Sequence, residues 1–379
     1  MKIYYIANAR MPTEKAHGIQ IAKMCEAFVE RGIDLELIIP NRKTIKKSIQ
    51  EFYGLRVEIP TVKLPVPDWY GCGRIGFFIS SCIFALGYFF YLQAKRILGK
   101  SGKIYTIDID QFSFFLVPFI GMPYMAEIHD AKHPTWPFRL LFRFARGIIT
   151  INAIIKEKLC ARFGLCHQKI IVCPNGADLR AFADLPERSA ARKSLGIPEG
   201  IRMVLYAGKL YDWKGVGILA GAAALLKDAA VVYVVGGSEE EYLKISGQSV
   251  SPENMVCVPM RPHAEISLWL AACDIAVVLG TRANEYSFYH TSPMKIFDYM
   301  ASRRPIVASD TPANRQIVGD SEAFFYTPDS AESLAYTTRL ALSDIGSVKG
   351  KIEAAYRKAQ PFSWKNRAES ILEFIRRQI

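Results

Sequence analysis

Two lysines border a predicted strand–loop–helix junction in the second half of the chain. The predicted strand, 203–207, is followed by the segment GKLYDWKG, whose basic residues are Lys209 and Lys214. Positive charges at such a junction can bind a diphosphate and offset the charge that builds on it as a leaving group. In the alternative interpretation both lysines are only solvated. The pattern therefore favours an anion site without requiring one.

A later junction carries a base and an acid together. An apolar run, 275–279, predicts a buried strand, and a polar loop leads to a helix with Ser292 as its N-cap and Pro293 in its first position. A helix start offers unpaired N–H groups to an anion such as pyrophosphate. Lys295 lies in the first turn, and Asp298, on about the same face, can accept hydrogen bonds from two ribose hydroxyls. Without a ligand, the same pattern is an ordinary amphipathic helix.

A histidine is predicted at the carboxyl end of a strand in the first half of the chain. The apolar run 124–128 is followed directly by His129 and Asp130. In a parallel α/β sheet, side chains at this position face the ligand crevice. His129 is therefore a candidate substrate contact, and Asp130 can orient its ring. In the alternative interpretation the histidine caps a helix or supports another residue that contacts the substrate, and Asp130 only caps the following turn.

The elements that must position these residues alternate between strand and helix along the whole chain. A buried strand at 2–7 is followed by a helix from Gly18 that Gly32 is expected to end, and then by another strand, 33–39. This order predicts parallel, doubly wound sheets. The chain of 379 residues is long enough for two such domains.

The net charge of +12 and the cysteine pattern limit the partners and the compartment. A basic surface attracts nucleic acid, anionic lipid or phosphorylated substrates, but no zinc-finger, helix-turn-helix or RNA-binding motif is present, so we expect no nucleic-acid partner. The eight cysteines include no CxxC pair, and the chain opens directly on a strand-like segment without a visible signal peptide. We expect reduced thiols and a cytoplasmic protein.

Neither of two local clusters that could hold a metal fits a metal site. The Cys and His residues at 160–173 have no common zinc spacing, and the D-x-D triplet at 108–110 follows a short strand in the wrong context. We therefore expect no metal and no cofactor.

One uncharged run, IGFFISSCIFALGYFFYL at 75–92, approaches the length of a membrane span and is flanked by Arg74 and Lys95. Interrupting glycines and serines, and its place between strands of one domain, favour a buried or membrane-adjacent helix. A re-entrant or interfacial role stays open, with an anionic membrane surface as a partner and a peripheral location on its inner face.

The sequences of these segments resemble those of glycosyltransferase family 4. This family comprises retaining enzymes of the group 1 type with the GT-B fold. SPMKIFDYMASRRPIVASD is similar to the family's donor-binding segment, "SPxKxFEYMAxxxPIVAS". PTEKAHGIQIAKMCEAFVERG is similar to its first βα unit, EIHD to a segment near the donor, and PNGAD to the motif that closes its first half. The family usually has two glutamates eight positions apart. Asp298 matches the second with a shorter acid, whereas His290 replaces the first, so the chain departs from the family there.

The resemblance implies roles for individual residues. Gly18 would let backbone approach the donor phosphates, His129 would touch the substrates, and Lys209 and Lys214 would stabilise the leaving diphosphate. The donor-binding set would further comprise Gly208, Gly236, Arg261, His290, Ser292, Pro293, Met294, Lys295 and Asp298. The contacts of Gly208, Gly236 and Arg261 follow only from their places at strand ends.

The resemblance also implies the fold and the reaction. We expect two Rossmann-like, doubly wound domains that face each other across a cleft. Residues 1–180, with a returning helix at 362–379, would hold the acceptor, and 200–358 the nucleotide-sugar donor. The expected reaction is retaining, metal-independent sugar transfer to a saccharide or lipid-linked acceptor in polysaccharide or glycolipid synthesis. The alternatives are a nucleotide-sugar epimerase and a non-catalytic, nucleotide-binding scaffold of a polysaccharide assembly complex.

Overall fold

The first seven strands form one parallel sheet. The computed structural model describes residues 1–43, 45–108 and 110–378, so the predicted triplet 108–110 is described only at its two aspartates. The strands are β1 Lys2–Ile6, β2 Asp34–Asn41, β3 Thr61–Pro65, β4 Lys103–Ile107, β5 Tyr124–Ile128, β6 Gly147–Thr150 and β7 Ile170–Val172. They lie in the order β3-β2-β1-β4-β5-β6-β7. All strands are parallel, but the chain adds β2 and β3 on one side of β1 and β4 to β7 on the other. This change in the order of strand addition is typical of a doubly wound sheet.

Helices cover this sheet and complete the first structural unit, Met1–Pro174 with Trp364–Ile379. They are α1 Ala16–Glu30, α2 Ile49–Tyr53, α3 Gly73–Ile97, α4 Trp136–Phe144, α5 Ala153–Phe163 and the returning α14 Trp364–Gln378. Of the predicted last helix, 362–379, residue 379 lies outside the described residues. Gly32 follows the end of α1 with φ of +73°, a conformation that suits glycine.

The second unit, Asn175–Ser363, contains a six-stranded parallel sheet. Its strands are β8 Met203–Ala207, β9 Val231–Val235, β10 Met255–Val258, β11 Ile275–Val278, β12 Ile306–Ser309 and β13 Phe324–Tyr326, in the order β10-β9-β8-β11-β12-β13. Its helices are α6 Arg188–Leu195, α7 Ile218–Leu225, α8 Glu239–Ser246, α9 His263–Ala272, α10 Met294–Ala301, α11 Pro312–Arg315, α12 Ala331–Ser343 and α13 Ile345–Ala359. Every residue of β8 is buried, because helices pack on both faces of the sheet.

The apolar run at 75–92 lies within helix α3, which has one buried and one exposed face. Phe84, Tyr88 and Leu92 are fully buried in the core of the first unit. Within the described part of the chain, α3 is the one helix long and apolar enough to cross a membrane, judged by length and composition alone. Because 39% of its most apolar window is buried, α3 serves as a core helix along one side.

Candidate functional site

Two glycines bring the loops after β8 and β9 into close contact. Gly208 and Gly236 have φ of +140° and +135°, which side chains rarely permit. A Cβ on Gly236 would lie 2.5 Å from the carbonyl oxygen of Gly208, and a Cβ on Gly208 would lie 3.0 Å from Nζ of Lys295. Packing and backbone conformation therefore both require glycine at 236, and backbone conformation favours it at 208. Lys295 lies against the loop that follows β8.

Three lysines, Lys209, Lys214 and Lys295, meet at this edge of the sheet, and we call them the lysine cluster. Nζ of Lys214 donates a hydrogen bond to the carbonyl oxygen of Lys209 at 3.3 Å. Nζ of Lys295 lies 3.8 Å from the centroid of the Tyr206 ring, and Nζ of Lys214 lies 4.8 Å from that of Tyr211. Aromatic faces attract the cations and hold them in place.

The electrostatics of the lysine cluster are unfavourable without a ligand. Burial and the neighbouring Lys209 lower the pKa of Lys214 to about 8. Burial and Lys214 lower the pKa of Lys295 well below its ordinary value. Across residues 1–43, 45–108 and 110–378, no carboxylate forms an ion pair with any of the three lysines. A bound polyanion would supply the missing negative charge.

Helix α10 begins two residues later than the predicted N-cap, so that prediction for Ser292 is wrong. The helix starts at Met294, with Pro293 in the cap position and no side-chain cap. Oγ of Ser292 instead accepts a hydrogen bond from the backbone N–H of Asn175 at 3.2 Å, and Nδ2 of Asn175 donates to the Ser292 carbonyl at 2.8 Å. The Ser292 hydroxyl therefore contacts Asn175 of the PNGAD motif and does not cap the first N–H groups of α10.

Asp298 is buried on α10 and has a partner that the sequence analysis missed. It is 6% exposed, and its Oδ2 lies 3.5 Å from Nε2 of His263 at the start of α9. His290 is 4% exposed and lies at the end of a π-helical turn, Tyr286–His290. Its ring centroid is 6.4 Å from that of Tyr286, and its Nε2 lies 3.9 Å from Oε1 of Glu285.

Arg261 is not brought together with the lysine cluster. It lines a cavity of about 550 Å³ between β9, β10, α6 and α9, whose walls include Tyr233, Val256 and Trp269. This lining shares no residue with the lysine cluster. Its predicted contact with the donor stays a prediction.

In the first unit, Gly18 is held by other side chains. A Cβ at this position would collide with the Tyr53 hydroxyl and lie 2.5 Å from Cγ2 of Thr13. The Tyr53 hydroxyl also bonds both the backbone N–H and the carbonyl of Thr13, each at 2.8 Å. Packing against this clamp explains the glycine, and its predicted approach to donor phosphates stays a prediction.

His129 lies at the end of β5 inside a buried, charged network. Its Nε2 is 2.8 Å from Oε1 of Glu127, which is fully buried. The same oxygen accepts from Nε2 of Gln20 at 2.8 Å and from Arg367 of α14 at 2.7 Å. Tyr105 donates to the other carboxylate oxygen. Burial would raise the pKa of Glu127, but Arg367 and His129 outweigh it and hold this pKa at about 2.

The sequence analysis missed Glu127, Arg367 and Gln20. Glu127 is a lone acid inside the otherwise apolar strand YMAEI, and such a residue is rarely buried without a partner. That signal could have identified Glu127, but nothing in the local pattern points to a partner 240 residues away. In the described ranges, no three or more His, Cys, Asp or Glu side chains are grouped so that they could hold a metal ion.

Comparison with known proteins finds a family model and curated relatives that are similar to part of this chain. Residues 201–344 match the family model described as Glycosyl transferases group 1. D-inositol 3-phosphate glycosyltransferase from Kineococcus radiotolerans is 28% identical over 247 residues, which cover 59% of this chain and 55% of that protein. The Mycobacterium tuberculosis enzyme of the same name is 25% identical over 223 residues, 56% of this chain and 44% of that protein. The chain spans about half the length of these curated relatives.

Solved structures match over the whole chain. HepE from Anabaena, solved in complex with UDP-glucose, has a TM-score of 0.76 at 19% identity and covers 100% of both chains. A glycosyltransferase from Rickettsia africae has a TM-score of 0.75 at 15% identity and covers 100% of this chain and 98% of its own. These matches confirm the predicted α/β class with two Rossmann-like units. The resemblance that the motifs predicted is therefore confirmed: the chain has the GT-B fold, and residues 201–344 are similar to the Glycosyl transferases group 1 family.

Proposed function

We propose that the protein is a retaining glycosyltransferase that moves a sugar from a nucleotide-sugar to a saccharide or lipid-linked acceptor, in polysaccharide or glycolipid synthesis. The observation that carries the proposal is the lysine cluster, since three lysines without a carboxylate partner in the described ranges fit a diphosphate. HepE binds UDP-glucose, which supports this class of donor. The reaction breaks the bond between the anomeric carbon and the diphosphate oxygen, and the acceptor oxygen bonds to the same face of that carbon.

The chain's own residues would bind and orient the donor in this reaction. Lys209, Lys214 and Lys295 would neutralise the charge on the departing diphosphate, where fixed positive groups are most effective. Asp298 would accept hydrogen bonds from the ribose hydroxyls. The acceptor hydroxyl would pass its proton to the leaving phosphate, so no side chain has to act as a base. In this proposal the lysines supply the positive charge, and the reaction is metal-independent.

A thermal-shift panel of UDP, GDP, ADP and their common sugars tests the donor site. A ligand at one hundred times its Kd stabilises the folded state by about 2.7 kcal/mol, so a bound nucleotide should raise the melting temperature by several degrees. Lys227→Met removes an exposed lysine elsewhere in the second unit and is the control for substitutions in the lysine cluster. Its melting temperature should rise with the nucleotide as that of the wild type does. No shift with any nucleotide would contradict the proposal and favour the scaffold interpretation. Donor turnover to an epimer without acceptor would favour the epimerase.

The proposal includes a cytoplasmic location, peripheral on the inner face of a membrane, with the exposed face of α3 against anionic lipid. Large apolar residues are exposed along this face: Ile75 75%, Phe78 46%, Leu86 46%, Phe90 65% and Ile97 84%. Phe119, 56% exposed, lies alongside, since its carbonyl accepts a hydrogen bond from Gln93. So long an apolar face suits the boundary between headgroups and acyl chains.

The charges around α3 support an anionic surface as its partner. The helix contains no acidic residue, Arg74 lies at its start, and Lys95, Arg96 and Lys100 lie at or just beyond its end. Basic groups near a membrane surface each contribute about 1 kcal/mol of attraction to anionic lipid. Because the opposite face of α3 is part of the core, the helix would lie in the membrane plane.

Sedimentation with vesicles tests this surface. The wild-type chain should bind vesicles rich in phosphatidylglycerol more tightly than vesicles of phosphatidylcholine, and the double variant Leu86→Glu/Phe90→Glu should lose binding. Tyr336→Glu, at a residue 71% exposed on α12, is the matched control and should bind like wild type. The variant should retain acceptor-independent hydrolysis of the donor. Equal binding by variant and wild type would refute the surface, and a dimer abolished by the variant would assign this face to a second copy.

A further inference from the structure

The network around Glu127 determines which nitrogen of His129 is left for a ligand. A carboxylate offers only acceptors, and the low pKa of Glu127 means that it is ionised at neutral pH. The 2.8 Å contact between its Oε1 and Nε2 of His129 therefore requires the hydrogen to be on Nε2. Gln20 donates its amide to the same oxygen. Its amide nitrogen lies 3.1 Å from Nε2 but does not bond it in this tautomer, because both groups are donors. Nε2 is thus fully committed inside the unit.

We propose that Glu127 and Arg367 are positioning residues that fix His129 as the Nε2–H tautomer and present its Nδ1 to a substrate hydroxyl. In the described ranges no hydrogen-bond donor is paired with Nδ1. A ring nitrogen without hydrogen is an acceptor, so it fits a sugar or acceptor hydroxyl and not a phosphate oxygen, which is an acceptor itself. The inference rests on the proposed function in so far as His129 contacts a substrate.

Arg367 has a distinct part in this arrangement. Its guanidinium is 2.7 Å from Oε1 of Glu127 and also donates to the carbonyl of Cys173 at 3.2 Å. Both members of the pair are buried, with side chains 3% and 0% exposed. Because Arg367 already neutralises Glu127, the carboxylate does not need a second positive charge from an imidazolium ring. Helix α14 thereby supplies the charge that lets His129 act as a neutral acceptor.

A purely structural role for the same residues is the competing interpretation. Glu127 and Arg367 would then only fasten α14 to β5. The chain offers a matched control, because Arg31 also joins α1 to α14 through a 2.7 Å pair with Glu369. That pair makes no contact with His129. Arg31→Met removes the ion pair with Glu369 on α14 but leaves the contacts of Glu127 with His129 and Arg367 in place.

Nitrogen NMR of the full chain labelled at its six histidines distinguishes the two interpretations. Two-bond correlation spectra separate the tautomers, and loss of one set of signals in His129→Gln assigns them. We expect a single Nε2–H tautomer for His129 in the wild type and in Arg31→Met. We expect both tautomers in Glu127→Gln, and a largely retained Nε2–H form in Arg367→Lys, which keeps the charge. Pyrophosphate at millimolar concentration should leave the Nδ1 signal unmoved.

Several outcomes would overturn the inference. An Nδ1–H ring in the wild type, or a Glu127→Gln spectrum identical to wild type with only a lower melting temperature, would leave the network as an anchor. An Nδ1 signal that moves with pyrophosphate would refute the hydroxyl assignment. If Glu127→Gln does not fold, an Nδ1–H ring in the wild type would still overturn the inference. The tautomer is read without any turnover, so failure of the proposed function, seen as no nucleotide binding, is distinguishable.

Discussion

The lysine cluster and the Glu127 network both place charge at the carboxyl edge of a sheet, but they balance it in opposite ways. Glu127 is surrounded by Arg367, His129, Gln20 and Tyr105, so its charge is compensated within the unit. The lysine cluster has aromatic faces and carbonyls around it but no carboxylate among the described residues. A compensated charge stabilises the fold, whereas uncompensated like charges point to a ligand that completes them.

The largest effect should come from breaking the compensated pair. Arg367→Met leaves the Glu127 carboxylate buried without its main partner, and we expect a loss of about 3–5 kcal/mol in the free energy of unfolding. Denaturant unfolding of the full chain measures it. Arg377→Met, which removes an exposed pair with Glu373 at 3.2 Å, is the control and should cost under about 0.5 kcal/mol. An equal loss of unfolding free energy in both variants would contradict the stabilising role of the compensated pair.

Removing a cation from the lysine cluster should instead leave the fold intact. Lys295→Met deletes a charge that Lys214 opposes, so the melting temperature should stay level or rise. Affinity for a nucleoside diphosphate should fall by about 3 kcal/mol, since a charged hydrogen bond is lost. Thermal unfolding gives the melting temperature and calorimetric titration with UDP gives the affinity, each measured beside Lys227→Met. A destabilised Lys295→Met chain with unchanged affinity would assign the lysine to the fold.

Asp298 tests whether the cluster belongs to a nucleotide site or to a general anion site. Asp298→Ala should weaken nucleotide affinity by roughly 1.5–3 kcal/mol through loss of a charged acceptor for the ribose hydroxyls. Pyrophosphate, which has no ribose, should bind the variant as it binds wild type. Fluorescence or calorimetric titration with both ligands decides. Equal losses for UDP and pyrophosphate would contradict a ribose contact.

The smallest effect is a dependence on pH. Lys214 has a pKa of about 8 in the ligand-free chain, and a bound diphosphate favours its charged form. Affinity should therefore be level well below this pKa and fall as pH rises through it, by about fivefold between pH 8 and pH 9. Lys214→Arg should flatten the profile, because a guanidinium stays charged. A profile that falls with decreasing pH would have the wrong sign for a lysine.

Local patterns predicted the fold and the positions of the three lysines of the cluster. The alternation of apolar runs and amphipathic segments located the strands, and the junctions placed Lys209, Lys214 and Lys295 at one edge of a sheet. These residues are close to their strands in sequence, so the parallel topology brings them together without further information.

The contacts that the sequence analysis missed are those made between distant segments. Ser292 has the residue type and position of an N-cap. Its hydroxyl instead accepts a hydrogen bond from the backbone N–H of Asn175, which is 117 residues away in the chain. His263 reaches Asp298 from another helix, and Arg367 reaches Glu127 from the last one. No local propensity encodes such pairs, because tertiary packing selects them.

The return of α14 to β5 has a consequence for synthesis on the ribosome. The second unit, Asn175–Ser363, is continuous and has left the peptidyl-transferase centre in full before Arg367 is added. Glu127 is synthesised 240 residues earlier and has no Arg367 to pair with until the end of the chain is made. Domains generally fold from the N-terminus onward during translation. In this chain the order is reversed at the last step, and the unit begun first is finished last.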